Sequence, residues 1–397
     1  MSLGAAGTLR PVSVQHARAP GLADLPGLRT FRSRSFRVLV ALLLAGTGVV
    51  VIVAALATRA AMPLETGQFG IDLADYLAAS RRLVESGSPY EAAMLEGPVA
   101  AQGLDRYRYP PPFAQLLVPV AGAQFPVVAG LWAAVQFVAL VAAVWLAGSA
   151  AGLRSGAERA LWSVVAVVCF VPVFDALWKG NVSGLLAVAT AVMLSGDAAA
   201  GAGGALGSLL KVSPAVHLPA LLSRNARTAA TAAATLVGVI AVSVALSPTA
   251  WRDYSVVLPN LLAGSSDYAN NLAPHAVAQR LGAPGWLEKG VRLGTLVASG
   301  LLVLLSVWCA RSGRWPAAVT AGSGAALLLP AALWYHYLVV LLPLAAAAWA
   351  RADGRARAAL LLGGGLVSTI VLAPLGAIVM YPTILAVLLR TPTAAEP

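Results

Sequence analysis

The sequence predicts an all-α integral membrane protein, a multi-span helical bundle with amphipathic helices on its outer face and re-entrant half-helices inside it. Three observations carry this reading. Of the 397 residues, 59% are hydrophobic and 11% charged, whereas a soluble chain carries about a quarter charged residues. The mean hydropathy is +0.80. Apolar stretches of the length a bilayer requires, roughly 20 residues, recur from residue 38 to residue 389. The net charge of +11 does not point to nucleic acid. Lys179, Lys211 and Lys289 are the only lysines, so the excess is arginine. The arginines gather in short clusters between apolar stretches, as the positive-inside rule produces.

Taken in order, residues 1–37 are rich in Gly, Ala, Pro and Ser and hold Arg10, Arg18, Arg29, Arg32, Arg34 and Arg37. They lack the early apolar core of a cleaved signal and read as a disordered cytoplasmic tail. Residues 38–390 read as one membrane domain and 391–397 as a second cytoplasmic tail. Candidate spans lie near 38–58, 113–148, 160–176, 180–196, 228–250, 293–310, 315–332, 334–350, 358–377 and 378–389. The 113–148 stretch is too long for one straight span, and "GAQFP" (Gly122 to Pro126) divides it into a half-helix and a full span. "LLKVSPAVHLPALL" divides 198–223 into two half-helices, because Lys211, Pro214, His217 and Pro219 interrupt it. Cys169 and Cys309 lie in apolar runs and read as small core residues. No nucleotide-binding or metal-ligand spacing is present, so neither a cofactor nor a metal is expected.

Placing the arginine-rich N-terminus inside puts Arg159, Asp197, Arg224, Arg311, Arg314, Arg351, Arg355, Arg357 and Arg390 inside as well. The loops 59–112 and 251–292 then face outward, with Lys179 to Asn181 and the turn near Leu333. The first loop carries Glu65, Asp72, Asp75, Glu85, Glu91, Glu96 and Asp105, while acids are rare elsewhere. The expectation is a multi-pass plasma-membrane protein whose chemistry sits on the outer face.

Within that loop, "DLADYLAASRRLVESG" places Leu73, Tyr76, Leu77, Ala79, Ser80 and Leu83 at helical spacing. This is an amphipathic surface helix, ended by Gly87, Ser88 and Pro89. Asp72 at its start reads either as an N-cap or as a general base at the mouth of a cavity. Asp75, one turn on, reads as solvated or as a substrate contact. "YPPP" (Tyr109 to Pro112) is a rigid turn back into the bilayer.

The order of short motifs is more specific than any one of them. An outer D-x-x-x-Y (Asp72 to Tyr76) is followed by G-x-P-Y (Gly87 to Tyr90) and Y-P-P (Tyr109 to Pro111). Then come "WKGNVSG" (Trp178 to Gly184), "LKVSP" (Leu210 to Pro214), "DYANN" (Asp267 to Asn271) and "WYHY" (Trp334 to Tyr337). Over about residues 36–390 this resembles the bacterial polyprenyl-phosphate-dependent glycosyltransferases of family 87 (GT87), which include actinobacterial α-mannosyltransferases and arabinofuranosyltransferases. The resemblance implies a GT-C-like architecture, a polyprenyl-phosphate sugar donor, a glycolipid or glycan acceptor and an inverting transfer without a metal. It implies Asp72 as the base, with His336 as a second catalytic contact beside it. Tyr76, Tyr109 and Asn181 would line the substrate site. Mannose is the expected sugar, because D-L-x-x-Y is the mannosyltransferase form, and arabinofuranose is the alternative.

Lys211 is an intramembrane cation and so a functional candidate. It reads as the donor-phosphate ligand, aided by Lys179, or else as a snorkelling side chain. His336 reads equally as a buried, hydrogen-bonded histidine in an aromatic belt. Asn270, Asn271 and His275 read as sugar-hydroxyl contacts or as loop caps. Two other functions compete. A secondary transporter would show inverted repeats and charges paired at mid-bilayer, and neither is visible. A non-catalytic lipid-binding scaffold would tolerate loss of Asp72.

Overall fold

The computed structural model describes residues 33–60, 69–97, 107–153, 156–263 and 271–390. Among these residues all regular structure is helical, with 17 α-helices joined by short 3-10 turns. Residues 1–32 of the basic tail, the 391–397 tail, Glu65, Asp105 and Asn270 lie outside the described residues.

Among the described residues five helices are long and apolar enough to cross a membrane: Arg34–Ala60, Phe125–Ala150, Ala226–Leu246, Gly285–Arg311 and Ile370–Leu389. The pair Ala157–Val168 and Val171–Lys179, bent by 73°, is long and apolar enough only when its two helices are taken together, as a broken span or a re-entrant loop. Pro172 lies in the first turn of the second member and has no amide hydrogen to continue the first. The ten apolar stretches therefore do not give ten full spans. Ser183–Met193, Trp315–Leu328 and Leu341–Trp349 are shorter helices packed inside the bundle. Phe125–Ala150 carries many buried residues and is the most enclosed of the five long helices.

Both expected breaks are present. Pro111–Leu117 and its 3-10 extension stop before Gly122, and the full span starts at Phe125. Asp197–Leu210 stops at Lys211, whose backbone is extended, and a 3-10 turn (Ser213–His217) leads into Leu218–Arg224. Two boundaries differ. The described residues of the segment 251–292 are largely helical, through Pro248–Ala263, Pro274–Arg280 and the start of Gly285–Arg311. The C-terminal stretch divides at Ser368 and Thr369 instead of near 377, and Pro374 stands in the first turn of the second helix, where a proline is favoured.

Long-range pairs sort the polar residues to two ends of the bundle. At one end Arg37 Nε meets Glu158 at 2.7 Å and Arg224 meets Asp197 at 2.6 Å. Arg224 also lies 4.2 Å over the Trp315 ring, whose indole N–H donates to Met193 O. At the other end Arg59 covers Trp178 at 4.3 Å, and Asn271 Nδ2 donates to Ala331 O at 3.0 Å. There Ser247 Oγ donates to Gly87 O at 2.5 Å. Residues that the charge pattern assigns to one side of the membrane thus meet one another in space.

Two larger packed regions follow, beside a small cluster of Ala41, Ala45 and Val165. The main core lies between the helices. The second caps the Asp72 end with Leu73, Tyr76, Leu77, Tyr107, Phe113 and their neighbours. All six residues expected on the apolar face of the surface helix are buried in Ile71–Ser86.

Candidate active site

The Ile71–Ser86 helix starts from Gly70, whose φ of 82° is left-handed. Gly70 N–H donates to Trp178 O at 2.6 Å. Gly180, at φ 68°, ends the Val171–Lys179 helix against it. A Cβ on Gly180 would stand 2.9 Å from Leu73 Cβ and 3.2 Å from Gly70 Cα. Trp132 Nε1 donates to Gly180 O at 2.8 Å and holds this turn from a third helix. The start of one helix and the end of another are thereby locked side by side.

This geometry corrects the capping reading of Asp72. Gly70 occupies the cap, no side chain caps the helix, and Asp72 falls inside the first turn. Its Oδ2 accepts from Asn181 Nδ2 at 2.6 Å. Asn181 is 1% exposed, and its orientation is determined from behind. Ser183 N–H, which can only donate, reaches Asn181 Oδ1 at 3.0 Å, so the amide nitrogen must face the carboxylate. Tyr76 OH lies 3.4 Å from the same nitrogen and 2.8 Å from Tyr109 OH. Burial, above all, and the nearby Asp72 charge hold both phenols above the usual tyrosine range, so both stay neutral. The structure therefore joins Asp72, Tyr76, Tyr109 and Asn181 in one hydrogen-bonded chain.

Lys211 sits where the 198–223 segment breaks. Its Nζ stands 3.2 Å from the centroid of the Tyr337 ring and 5.9 Å from that of Tyr109. The fields of Asp72 and Arg108 reach it. From Lys211 and Tyr337 a small cleft of about 60 Å³ runs between the helices to His217 and Ser323. Its walls include Leu186, Ala189, Met193, Leu327, Val339 and Val340. A cation at the head of an apolar cleft suits an amphipathic anion with a phosphate head and a hydrocarbon tail.

His336 is 2% exposed. Its Nδ1 lies 2.9 Å from Asp175 Oδ2, and Lys179 Nζ lies 3.7 Å from Asp175 Oδ1. Lys179 also stands 5.6 Å from the Trp334 ring centroid. Asp175, which holds both His336 and Lys179, has no role assigned to it by the sequence. It lies within the apolar stretch 160–176, and its signal was an acid at that depth with Lys179 four residues on. Tyr337 is likewise unassigned by the sequence beyond its place in "WYHY".

The second-loop candidates behave differently. Asn271 is fully buried. Its Oδ1 accepts from Ala273 N and Leu333 N, each at 2.9 Å, so it staples two loops together. These backbone contacts are those of a loop-capping residue. His275 stands near Arg292 and Glu288, on the short Pro274–Arg280 helix. Asp75 is half-buried one turn beyond Asp72. Among the described residues no group of three His, Cys, Asp or Glu side chains could hold a metal ion.

The sequence model of glycosyltransferase family 87 matches residues 107–333, more than half of the chain. No curated protein and no solved structure matches the chain. The matched segment holds Tyr109, Lys179, Asn181 and Lys211, while Asp72 and His336 lie outside it and join the site through the contacts above.

Proposed function

The chain belongs to glycosyltransferase family 87 and is a membrane glycosyltransferase, and from that premise we propose that it transfers a sugar from a polyprenyl monophosphate to a cell-envelope glycolipid or glycan. Transfer takes place with inversion, on the outer face of the plasma membrane. Mannose is the preferred sugar and arabinofuranose the alternative. One observation carries the donor class: Lys211 stands at the head of the apolar cleft, with Asp72 near enough for its charge to act there. The cleft takes the first part of the isoprenoid chain, and Lys211 meets the phosphate.

In the reaction a hydroxyl of the acceptor attacks the anomeric carbon from the face opposite the phosphate. The bond from that carbon to the phosphate oxygen breaks, and polyprenyl phosphate leaves with the electron pair. The hydroxyl proton passes to Asp72. A sugar hydroxyl is a weak nucleophile, so this general-base step is the one the protein must supply. Asn181 holds one carboxylate oxygen by a 2.6 Å hydrogen bond and fixes the direction of the other. Lys211, with Lys179 nearby, offsets the charge on the leaving phosphate. Asp75, Asn270 and His275 remain candidates for acceptor contacts.

The test offers the purified protein, in lipid nanodiscs, polyprenyl-phosphate mannose and polyprenyl-phosphate arabinose separately, each with lipid acceptors. Product from either supports the donor class and names the sugar. No product from both, with intact folded protein, rejects it.

A further inference from the structure

Asp175 has no part in the reaction as written above. It is nevertheless an acid in an apolar helix, which is costly unless it serves something. Its two oxygens divide their partners: Oδ1 faces Lys179 at 3.7 Å and Oδ2 faces His336 Nδ1 at 2.9 Å. The carboxylate already has a full cation in Lys179, so His336 need only donate one hydrogen bond, from a neutral ring. The opposite ring nitrogen, Nε2, is buried and has no hydrogen-bond partner among the described residues. Buried polar atoms in native proteins are almost always paired, and this one sits in a residue whose ring feels the Asp72 charge. Tyr337, which carries Lys211 on its face, packs edge-on against the same imidazole at 4.8 Å. His336 therefore stands between the Asp175–Lys179 pair and the Asp72–Lys211 site.

We propose that Asp175 is a positioning residue that holds His336 with Nδ1–H toward its carboxylate and Nε2 presented as an acceptor to a hydroxyl of the bound sugar. A neutral imidazole carries one proton, and the partner of one nitrogen decides what the other can do. A carboxylate can only accept, so it requires the proton on Nδ1. Nε2 is then left as a lone pair, which selects a hydroxyl over a phosphate oxygen. The inference rests on the glycosyl-transfer reading for the identity of the ligand. The tautomer itself does not depend on that reading.

Two measurements on the full-length protein in nanodiscs test this. The chain has four histidines, so ¹⁵N-histidine spectra are assignable by comparison with His336→Gln. The expected wild-type spectrum at neutral pH shows His336 protonated at Nδ1 and bare at Nε2. Asp175→Asn, whose amide can donate to Nδ1, should shift the proton to Nε2. A wild-type Nε2–H form, or a tautomer unmoved by Asp175→Asn, would overturn the proposal whether or not the donor is a polyprenyl phosphate. The second measurement is kinetic. Asp175→Asn should lower kcat by about 10–1,000-fold with an unchanged melting temperature, and it should add less than about twofold to the loss already caused by His336→Gln. Fully additive losses would show that Asp175 acts independently of His336. Absence of turnover in the wild type would count against the glycosyl-transfer reading, and the spectra would still decide the tautomer.

Discussion

At the residue scale the central object is a carboxylate whose direction is set by partners more than a hundred positions away. Asp72 is oriented by Asn181, Asn181 by Ser183, and the phenols of Tyr76 and Tyr109 close the chain. Only the Asn181–Ser183 contact is local; the Asp72–Asn181 and Tyr76–Tyr109 contacts do not follow from spacing in the sequence. What the sequence did disclose was chemical oddity: acids in an outer loop and a lone lysine in a broken apolar segment. Asp175 had the same oddity, masked by the strong hydropathy around it. Asn271 shows the opposite case, because a buried amide in a loop is equally suited to sugar or backbone, and only its neighbours decide. Lys211 carries the first prediction. Lys211→Ala should raise the KM for the polyprenyl-phosphate donor by about 10–100-fold, the loss expected of one hydrogen bond to a charged group, with little change in the KM for acceptor. Lys211→Arg should retain part of the function, since the charge persists in a different geometry. Steady-state kinetics with each substrate varied in turn decides this, and an unchanged donor KM in Lys211→Ala would remove Lys211 from the phosphate site.

At the element scale the site depends on one close approach, where the left-handed turns at Gly70 and Gly180 bring the Ile71–Ser86 and Val171–Lys179 helices together. Gly180→Ala forces a side chain into left-handed backbone, a penalty of roughly 1–2 kcal/mol, and drives its Cβ against Leu73. The expected outcome is a lowered melting temperature and a fall in kcat larger than a control substitution of equal destabilisation gives. Unaltered kcat would mean that the Asp72–Asn181 contact tolerates separation of the two helices. Much at this scale was legible in the sequence, because helix faces and proline breaks are local. The buried face of Ile71–Ser86 matched residue by residue, and the interruptions at Gly122 to Pro126 and at Lys211 fell where expected. What was not legible is whether an apolar stretch crosses the bundle or packs within it. Hydropathy is the same for Ser183–Met193 as for a span of that composition, and length and neighbours separate them. Residues 251–292 show the converse, since polar sequence there still forms helices.

At the scale of the whole molecule, the two ends of the bundle sort the charged residues as the arginine pattern requires, with Arg37, Glu158, Asp197 and Arg224 at one end and Asp72 at the other. The orientation predicts that, with Cys169 and Cys309 replaced, a cysteine at the exposed Glu85 is modified by an impermeant thiol reagent in intact cells, while one at Arg355 is modified only after permeabilisation. The reverse pattern would place the site on the cytoplasmic face. The account as a whole turns on Asp72, and the most direct measurement is turnover of Asp72→Asn with saturating polyprenyl-phosphate sugar. Asparagine keeps the size and can still pair with Asn181, but it cannot take a proton. The account predicts normal donor binding, a normal melting temperature and a loss of about 10²–10⁴ in kcat, with Asp75→Asn only mildly affected. Near-normal turnover of Asp72→Asn would contradict it.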